Sequence, residues 1–269
     1  MRVTTRAGVI AASLVAASLV TAAAARQPGP LSRQTWTVGG VTRSAMVASP
    51  TAPVPSDGSP LVLVFHGHGG TAQNSARTFA IHTHWPEAVV IYAQGLPTAG
   101  LLTDPGGLKP GWQHAPGTEG DRDLKYVDAM LTWARSRFRI DPARIYAAGH
   151  SNGGTMTYVL LAARPDVFAA FAPSASVFRR DLIASAKPKP ALIILGEKDQ
   201  LVPPAAQHAS LDQTLRLNQA SRTGEPWSGR YATLHKSPIG ADVAAYVHPG
   251  DHTMPGDAGA LMVKFFRER

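Results

Sequence analysis

The sequence predicts an α/β fold with a mostly parallel central sheet, an antiparallel hairpin at its start and helices on both faces. Short apolar runs, typical of strands buried on both faces, alternate along the chain with helical stretches. Before them, strand-like segments at 35–38 and 43–49 are joined by Gly39-Gly40, a hairpin turn signal. A chain of 269 residues with 44% hydrophobic residues can bury the core of such a sheet.

The individual elements follow from the apolar pattern. The runs expected to form buried strands are 61–65, 88–93, 144–148, 168–172, 191–195 and 243–247. The clearest helix begins near Asp121, which suits an N-cap, and is expected to end before Asp141-Pro142. Residues 96–120 contain several glycines and prolines with little periodicity, so we expect a long loop over one end of the sheet. It could be a lid, a substrate wall or a plain insertion.

The N-terminal residues predict an export signal. Arg2 and Arg6 precede the apolar run 7–20, and small residues follow at 23–25. We expect a signal peptide at 1–25, a single catalytic domain at 26–269 and a secreted or periplasmic protein; the alternative is a retained membrane anchor. The apolar stretch is short for a membrane span, so no stable membrane insertion is expected.

Charge and cysteine content restrict the partners. The formal net charge is +8, but the basic residues lie singly along the chain, unlike the concentrated basic face of nucleic-acid-binding proteins. No nucleic-acid partner is therefore expected. The sequence has no cysteine, which excludes a disulfide framework. It leaves the oligomeric state open.

The Gly-His-Ser-Asn-Gly motif at residues 149–153 predicts a nucleophilic serine. It follows a predicted strand and precedes a predicted helix, the context in which Gly-x-Ser-x-Gly forms a sharp turn with an exposed hydroxyl. Ser151 would then lie at a helix N-terminus, where N–H groups favour developing negative charge. The alternative is a structural serine in a glycine turn.

Two backbone N–H groups are expected to form an oxyanion hole. One belongs to Asn152, directly after the nucleophile. The other is expected in the glycine-rich segment after the strand at 61–65, with His68 preferred and Gly67 or Gly69 possible. A metal site is the competing interpretation of this segment, because His66 and His68 alternate and further histidines follow at positions 82, 84 and 114.

The acid and the base are expected to follow the nucleophile in the order Ser, acid, His. Asp199 comes just after the apolar strand at 191–195, which puts its carboxylate on the same edge of the sheet as Ser151; Glu197 is the second choice. His252 lies in a glycine-containing loop after the last strand and is preferred as the base over His248. Together they predict acyl transfer through a covalent acyl-enzyme, with no cofactor or metal.

At these residues the sequence resembles the secreted poly(3-hydroxybutyrate) depolymerase and feruloyl esterase family, carbohydrate esterase family 1. The resemblance rests on the His-Gly-His-Gly-Gly segment at 66–70, on 140–146 leading into Gly-His-Ser-Asn-Gly-Gly, and on 164–170. It implies an α/β-hydrolase fold with the same triad, Ser151, Asp199 and His252. The chain departs from the family at Met254, where members often carry tryptophan, and in its lack of cysteines.

The predicted activity is hydrolysis of feruloyl or acyl esters of polysaccharide, with a polyester depolymerase as the alternative. No additional substrate-binding domain is expected after residue 269, which favours a small, polysaccharide-linked or oligomeric ester. Less favoured are a serine peptidase and a non-catalytic binding protein on the same fold. The candidate substrate-binding residues are His66, Trp112 and Trp227; the tryptophans could stack on a sugar or aromatic acid, or anchor loops.

Overall fold

The computed structural model describes residues 30–269 together with Met1 and Val3, so the predicted signal peptide lies outside the described residues except at those two positions. The strands are β1 (Leu31–Val38), β2 (Val41–Ala48), β3 (Ser59–Phe65), β4 (Val89–Ala93), β5 (Leu96–Pro97), β6 (Pro110–Gly111), β7 (Ile140–His150), β8 (Ala170–Ser174), β9 (Ala191–Gly196), β10 (Glu225–Ser228), β11 (Ala232–His235) and β12 (Val243–His248). The α-helices are α1 (Ala72–Phe79), α2 (Ile81–His84), α3 (Arg122–Arg137), α4 (Asn152–Ala163), α5 (Arg180–Ile183), α6 (Pro204–Leu217) and α7 (Ala258–Arg267).

Ten of these strands form one mixed sheet in the order β1-β2-β4-β3-β7-β8-β9-β12-β11-β10. The six strands from β4 to β12 pair in parallel, and antiparallel strands flank them at both edges. The predicted mostly parallel sheet with an N-terminal hairpin is thereby confirmed. The second antiparallel pair, β10 and β11, was not predicted, because strands of four residues at a sheet edge carry no apolar run.

Helices cover both faces of the sheet, which explains the continuous apolar strands. On β3, Leu61, Leu63 and Phe65 pack in one layer with α3, α4 and α6, whereas Val62 and Val64 pack in the other with α1 and α7. Because successive side chains point to opposite faces, a strand buried on both sides must be apolar throughout. The predicted helices on both faces are confirmed by these two layers.

Helix α3 begins next to Asp121 and ends at Arg137, before Asp141-Pro142, as predicted, but two details at its ends differ. The Asp121 side chain does not cap the helix, since its backbone is left-handed at φ 56° and its carboxylate accepts from Gly117 N and Gln113 Nε2 at 2.7 and 2.9 Å. Asp141-Pro142 already belongs to β7, which begins at Ile140 rather than at the predicted residue 144. Pairing with β3 skips from Ile140 to Ile145 there, so proline is not required to donate a ladder hydrogen bond.

The parallel strands bring four loops to one edge of the sheet. These are the segments that follow the carboxyl ends of β3, β7, β9 and β12. In open α/β sheets this edge is where ligands bind. Among the described residues, helix length and apolar content fall short of what a membrane-spanning helix requires.

Candidate active site

Ser151 lies at a sharp turn between β7 and α4. Its backbone has φ 56° and ψ −121°, a region that non-glycine residues rarely adopt, and its N–H donates to the Ser174 carbonyl at 2.8 Å. Such a conformation costs roughly 1–3 kcal/mol and persists only where the surroundings enforce it. The turn therefore holds the hydroxyl out at the N-terminus of α4.

The two glycines of the motif are required by space. A Cβ on Gly149 would lie 2.1 Å from the Gly153 carbonyl oxygen, and one on Gly153 would lie 2.1 Å from the Phe65 carbonyl oxygen. Both contacts involve backbone atoms, which side-chain rotation cannot relieve. Residues 149 and 153 must therefore lack side chains for β7, α4 and β3 to meet at this turn.

His252 joins Ser151 to Asp199. Its Nε2 lies 2.9 Å from Ser151 Oγ and its Nδ1 lies 2.7 Å from Asp199 Oδ2. The loop after β12 thus carries the imidazole between two residues that stand 101 and 53 positions away in the sequence. The structure brings together the three residues that the sequence predicts as nucleophile, base and acid.

Asp199 is held rigidly below this imidazole. It is 2% exposed, and its Oδ1 accepts from the N–H groups of Leu201 and Val202 at 2.9 and 2.8 Å. Gln207 Nε2 donates to Oδ2 at 2.9 Å, beside His252. Burial raises the pKa of Asp199, but the hydrogen bonds from His252 and the two backbone N–H groups outweigh it, so the pKa is lower than usual. The carboxylate is therefore ionised at neutral pH.

The second-choice residues face elsewhere. Glu197 pairs with His208 Nε2 at 2.7 Å on the surface. His248 is buried, and its Nδ1 accepts from Gly250 N at 3.2 Å; burial lowers its pKa. In this geometry only Asp199 and His252 align with the Ser151 hydroxyl.

His150 lies beside the imidazole of His252. The two rings have centroids 4.9 Å apart, and His150 Nδ1 is 3.1 Å from Ser174 Oγ. Desolvation, with a smaller contribution from the neighbouring His252, lowers the pKa of His150 to about 4. At neutral pH His150 is therefore an uncharged wall of the site.

The segment after β3 passes directly over the nucleophile. A Cβ on Gly67 would lie 3.4 Å from Ser151 Cβ, so the chain approaches the serine closely here. The N–H of Gly69 already donates to the Pro110 carbonyl at 2.7 Å. Gly67 and His68 thus remain the candidates for the second oxyanion donor, and the N–H of Asn152 starts α4 next to the nucleophile.

His66 does not face the substrate, contrary to the prediction. It is 2% exposed; its Nδ1–H donates to the Gly67 carbonyl at 2.7 Å, and its Nε2 accepts from Gly95 N at 2.9 Å. Burial lowers its pKa to about 4. His66 instead fixes the segment after β3 against residue 95, using both ring nitrogens.

Neither predicted tryptophan lines the cleft. Trp112 has no exposed surface; its indole N–H donates to the His66 carbonyl at 2.8 Å, and its ring packs against Phe65. Trp227 belongs to β10, where it packs against Phe265 and donates to Glu268. Trp112 anchors the loop and Trp227 anchors the edge of the sheet. The predicted role of either tryptophan in stacking on a substrate is therefore wrong.

The histidines of the competing metal interpretation are not grouped. His68 Nε2 donates to Asp104 Oδ2 at 3.0 Å, His82 pairs with Tyr92, and His114 contacts the Ala99 carbonyl. Across residues 30–269, no three side chains of the metal-binding types are placed to share one ion.

A cleft of about 280 Å³ opens above Ser151. The sequence did not single out several of its wall residues, namely Leu101, Leu102, Thr103, His114, Val177, Arg179 and Leu201. Leu101 and Leu102 are 60% and 62% exposed, so the rim is apolar and open to solvent. Arg179, the charged group of the wall, is paired with Asp181 at 2.7 Å. Two adjacent leucines in a glycine-rich loop are the feature of the sequence from which this rim could have been predicted.

Solved structures establish the fold. An acetyl xylan esterase from Aspergillus awamori superposes with a TM-score of 0.61 at 15% identity, over 87% of this chain and 99% of that one. A ferulic acid esterase of the CE1 family from Anaeromyces mucronatus gives a TM-score of 0.61 at 13% identity, over 92% and 93% of the two chains. The chain has the α/β-hydrolase fold. An acylaminoacyl peptidase also superposes on the chain, with a TM-score of 0.60 at 14% identity, over 90% of this chain and 41% of that one.

Sequence relatives of this chain are named as esterases. NocK of Nocardia uniformis subsp. tsuyamanensis is 33% identical over 174 residues, covering 62% of this chain and 48% of NocK. Feruloyl esterase B of Piromyces equi is 28% identical over 151 residues, covering 55% of this chain and 27% of that protein. The chain thus spans less than half the length of these relatives. They confirm the predicted resemblance to feruloyl esterases.

A model of the prolyl oligopeptidase family matches residues 111–187 of the chain. The matched stretch contains Ser151 and α4 but ends before Asp199 and His252. It therefore marks similarity around the nucleophile turn rather than across the whole site.

Proposed function

We propose that this protein is an exported serine esterase that hydrolyses uncharged carboxylic esters, with feruloyl or acyl esters of polysaccharide as the favoured substrates. One observation carries the proposal: His252 lies within hydrogen-bond distance of Ser151 Oγ and Asp199 Oδ2, at 2.9 and 2.7 Å. The esterase names of the sequence relatives support the same reaction. Export rests on the arrangement of residues 1–25.

The proposed reaction has two halves. His252 Nε2 takes the hydroxyl proton as Ser151 Oγ attacks the ester carbonyl, and Asp199 stabilises the imidazolium. The N–H groups of Asn152 and His68 hold the negative carbonyl oxygen. His252 then protonates the departing alkoxide, which leaves an acyl-serine. Water then gives a proton to His252 as its oxygen attacks the acyl carbon. The bond to Ser151 Oγ breaks, His252 returns the proton to Ser151 and the acid is released.

The cleft favours an uncharged substrate with an apolar group beside the ester. Its rim is apolar at Leu101, Leu102 and Leu201, and Arg179 is engaged by Asp181. An aromatic acyl group such as feruloyl suits such a rim, since apolar surface is removed from water on binding. Relatives named feruloyl esterase and acetylxylan esterase support the polysaccharide esters. A hydroxyalkanoate oligomer is the alternative that the same rim would accommodate.

A serine peptidase is the second candidate, favoured by the match of a prolyl oligopeptidase family model to residues 111–187. Against it, recognition of a charged peptide terminus needs a free charged group, and the wall's Arg179 is paired with Asp181 at 2.7 Å. Esters are therefore placed ahead of peptides.

A substrate panel tests the proposal. The protein and its Ser151→Ala variant are assayed with p-nitrophenyl acetate, methyl ferulate, an acetylated xylan, a 3-hydroxybutyrate trimer and an aminoacyl p-nitroanilide. We expect ester turnover to fall by about 10³-fold or more in Ser151→Ala, because the nucleophile is lost. Ser185→Ala, at an exposed serine outside the cleft, is the matched control and should keep full activity.

The outcomes separate the candidates. Unchanged ester hydrolysis in Ser151→Ala would refute the proposed mechanism. Cleavage of the anilide in preference to the esters would put the peptidase first. Hydrolysis of the trimer without hydrolysis of methyl ferulate or xylan acetate would reverse the order of the ester substrates.

A further inference from the structure

We infer that the loop at residues 96–120 holds the two donors of the oxyanion hole in place. Asp104, Gly111 and the side chain of Asn152 are the positioning residues. The inference rests on the proposed function, since it concerns the N–H groups of Asn152 and His68 that would hold the carbonyl oxygen. Each of these two residues makes side-chain contacts with this one loop, although neither belongs to it.

Asn152 is tied to the loop at Trp112. Its side-chain Oδ1 accepts from Trp112 N at 2.7 Å, and its Nδ2 donates to the Trp112 carbonyl at 3.3 Å. The amide therefore pairs with both polar groups of one loop residue, 40 positions away in the sequence. Because the same residue carries the N–H beside the nucleophile, this pair limits the rotation of the first peptide of α4.

His68 is tied to the same loop at Asp104. Its Nε2 donates to Asp104 Oδ2 at 3.0 Å, and the side chains of His68 and Asp104 are only 12% and 10% exposed. Asp104 is itself held in place, since its carboxylate also accepts from Leu108 N and Lys109 N at 3.1 and 2.8 Å. An ionised acceptor with three donors makes a firm anchor for the imidazole.

Gly111 lies between the two anchored side chains, where there is no room for a Cβ. A Cβ there would lie 2.7 Å from His68 Nδ1 and 3.0 Å from Asn152 Oδ1. Any side chain at 111 would therefore push the imidazole or the amide out of place.

The loop is in turn fixed to the body of the protein. Trp112 donates its indole N–H to the His66 carbonyl at 2.8 Å, and Pro110 accepts from Gly69 N at 2.7 Å. Both contacts fall on the segment that carries His68. The 96–120 loop thus bridges the two strand ends that supply the oxyanion donors, and it sets the distance between them.

Donor placement matters because an oxyanion hole acts on the transition state. Donors must lie about 2.7–3.1 Å from the developing oxyanion, and a misplacement of about 1 Å can reduce the rate by about 100-fold. Loosening the loop should therefore lower kcat and leave substrate binding nearly unchanged.

Kinetics on Asn152→Ala, Asp104→Ala and Gly111→Ala test the inference. Asn152→Ala keeps the backbone N–H and removes the side-chain contacts with the loop, which are to Trp112 and to His114. We expect kcat for p-nitrophenyl acetate to fall by about 10- to 100-fold, with KM changed less than about threefold. An alkyl boronic acid, which forms a tetrahedral anion on a serine nucleophile, should lose affinity by the same factor. Asp104→Asn keeps an acceptor for His68 and should recover part of the loss.

The matched control is Leu108→Ala, in the same loop, whose side chain is 83% exposed and does not line the cleft. Its kcat should stay within about twofold of the parent. Melting temperatures and the boronate affinities separate misfolding from misplacement, and Asp104→Ala or Gly111→Ala carries the test if Asn152→Ala does not fold.

The inference is overturned if the Asn152 and Asp104 variants keep kcat and boronate affinity while Ser151→Ala is inactive. It is also overturned if only KM rises, because the loop would then act in binding alone. If Ser151→Ala still hydrolyses the ester, the proposed function fails instead, and the two failures are distinguishable.

Discussion

Asp199 shows how much of this site is decided by single atoms. Its Oδ2 accepts from His252 Nδ1 at 2.7 Å and from Gln207 Nε2 at 2.9 Å, while Oδ1 accepts two backbone N–H groups. Every partner of the carboxylate is thus a donor, and an ionised carboxylate is a pure acceptor. The position requires a charged oxygen pair rather than a residue of similar shape.

Asp199→Asn should therefore abolish most of the activity. If its NH2 group faces His252 and Gln207, it donates to His252 Nδ1 and holds the imidazole in the wrong tautomer; if it faces the two backbone N–H groups, donor opposes donor there. In either orientation the imidazolium loses its negative partner. We expect kcat to fall by about 10³- to 10⁴-fold with little change in fold. Stopped-flow or steady-state ester hydrolysis measures it. Glu197→Gln is the control, because Glu197 contacts His208 on the surface; a similar loss there would mean that the acid is wrongly assigned.

At the residue scale, the predicted positions agree with the geometry where they follow from chain order and disagree where they depend on distant contacts. Ser151, Asp199 and His252 follow strand ends that sequence patterns locate, and the structure brings them together. Trp112 is different, because its burial follows from contacts with His66 and Asn152 that no local pattern reveals. An aromatic residue in a glycine-rich loop looks the same in sequence whether it faces solvent or the core.

At the scale of elements, the 96–120 loop is fastened by a buried ion pair. Arg43 on β2 donates to Asp123 on α3 at 2.7 Å, with both side chains at most 1% exposed. Asp123 also accepts from Gln113 N at 2.8 Å, and the side-chain Oε1 of Gln113 accepts from Asp123 N at 3.0 Å. The Asp123 carboxylate therefore connects β2 of the N-terminal hairpin, helix α3 and the 96–120 loop.

Asp123→Ala should destabilise the protein strongly. The change leaves the Arg43 guanidinium buried without its counter-ion, which typically costs about 3–5 kcal/mol of unfolding free energy. Asp128→Ala, on the same helix, is the matched control: Asp128 pairs with Arg164 but its side chain is 46% exposed, so about 1 kcal/mol or less is expected. Urea unfolding followed by circular dichroism measures both. Equal effects of the two changes would contradict this account.

The sequence predicted the deeply buried strands well and the edge strands poorly. The strands that form the parallel block gave continuous apolar runs and were located to within a few residues. β10 and β11 were missed because they are short edge strands whose pairing with β12 supplies their stability. The start of β7 was predicted at residue 144 instead of Ile140, because a register shift against β3 lets a proline lie inside the strand.

Across the whole molecule, two apolar layers enclose polar groups that must stay uncharged. His66 is one of them: it lies at the end of β3, is 2% exposed, and uses one nitrogen as donor and the other as acceptor. Protonation would place a second N–H opposite Gly95 N–H. Burial accordingly lowers the pKa of His66 from 6.5 to about 4.

This histidine should make stability depend on pH. As the pH falls from about 6.5 to about 4, the unfolded chain binds a proton at His66 that the folded protein does not, so the free energy of unfolding falls, by up to about 3 kcal/mol. Above pH 6.5 the contribution is complete. Melting curves of the parent and of His66→Gln, which keeps an acceptor for Gly95 N–H, measure it. The variant should show a shallower loss of stability between pH 6.5 and pH 4; identical slopes would disprove the assignment.

The construction of the 96–120 loop bears on how the enzyme could be redesigned. Leu101 and Leu102, on the cleft rim, lie between the β5–β6 ladder and the turn around Asp104, whereas the ties to His68 and Asn152 begin only at Asp104. Replacing the whole 96–120 loop would therefore change both the substrate selectivity and the turnover rate. Gly100 has to stay, because a Cβ there would lie 2.1 Å from the Thr103 carbonyl oxygen and 3.2 Å from His68 Nε2. Grafting residues 101–103 alone would alter the rim and leave the ties in place, so directed evolution of substrate range should confine its library to those three positions.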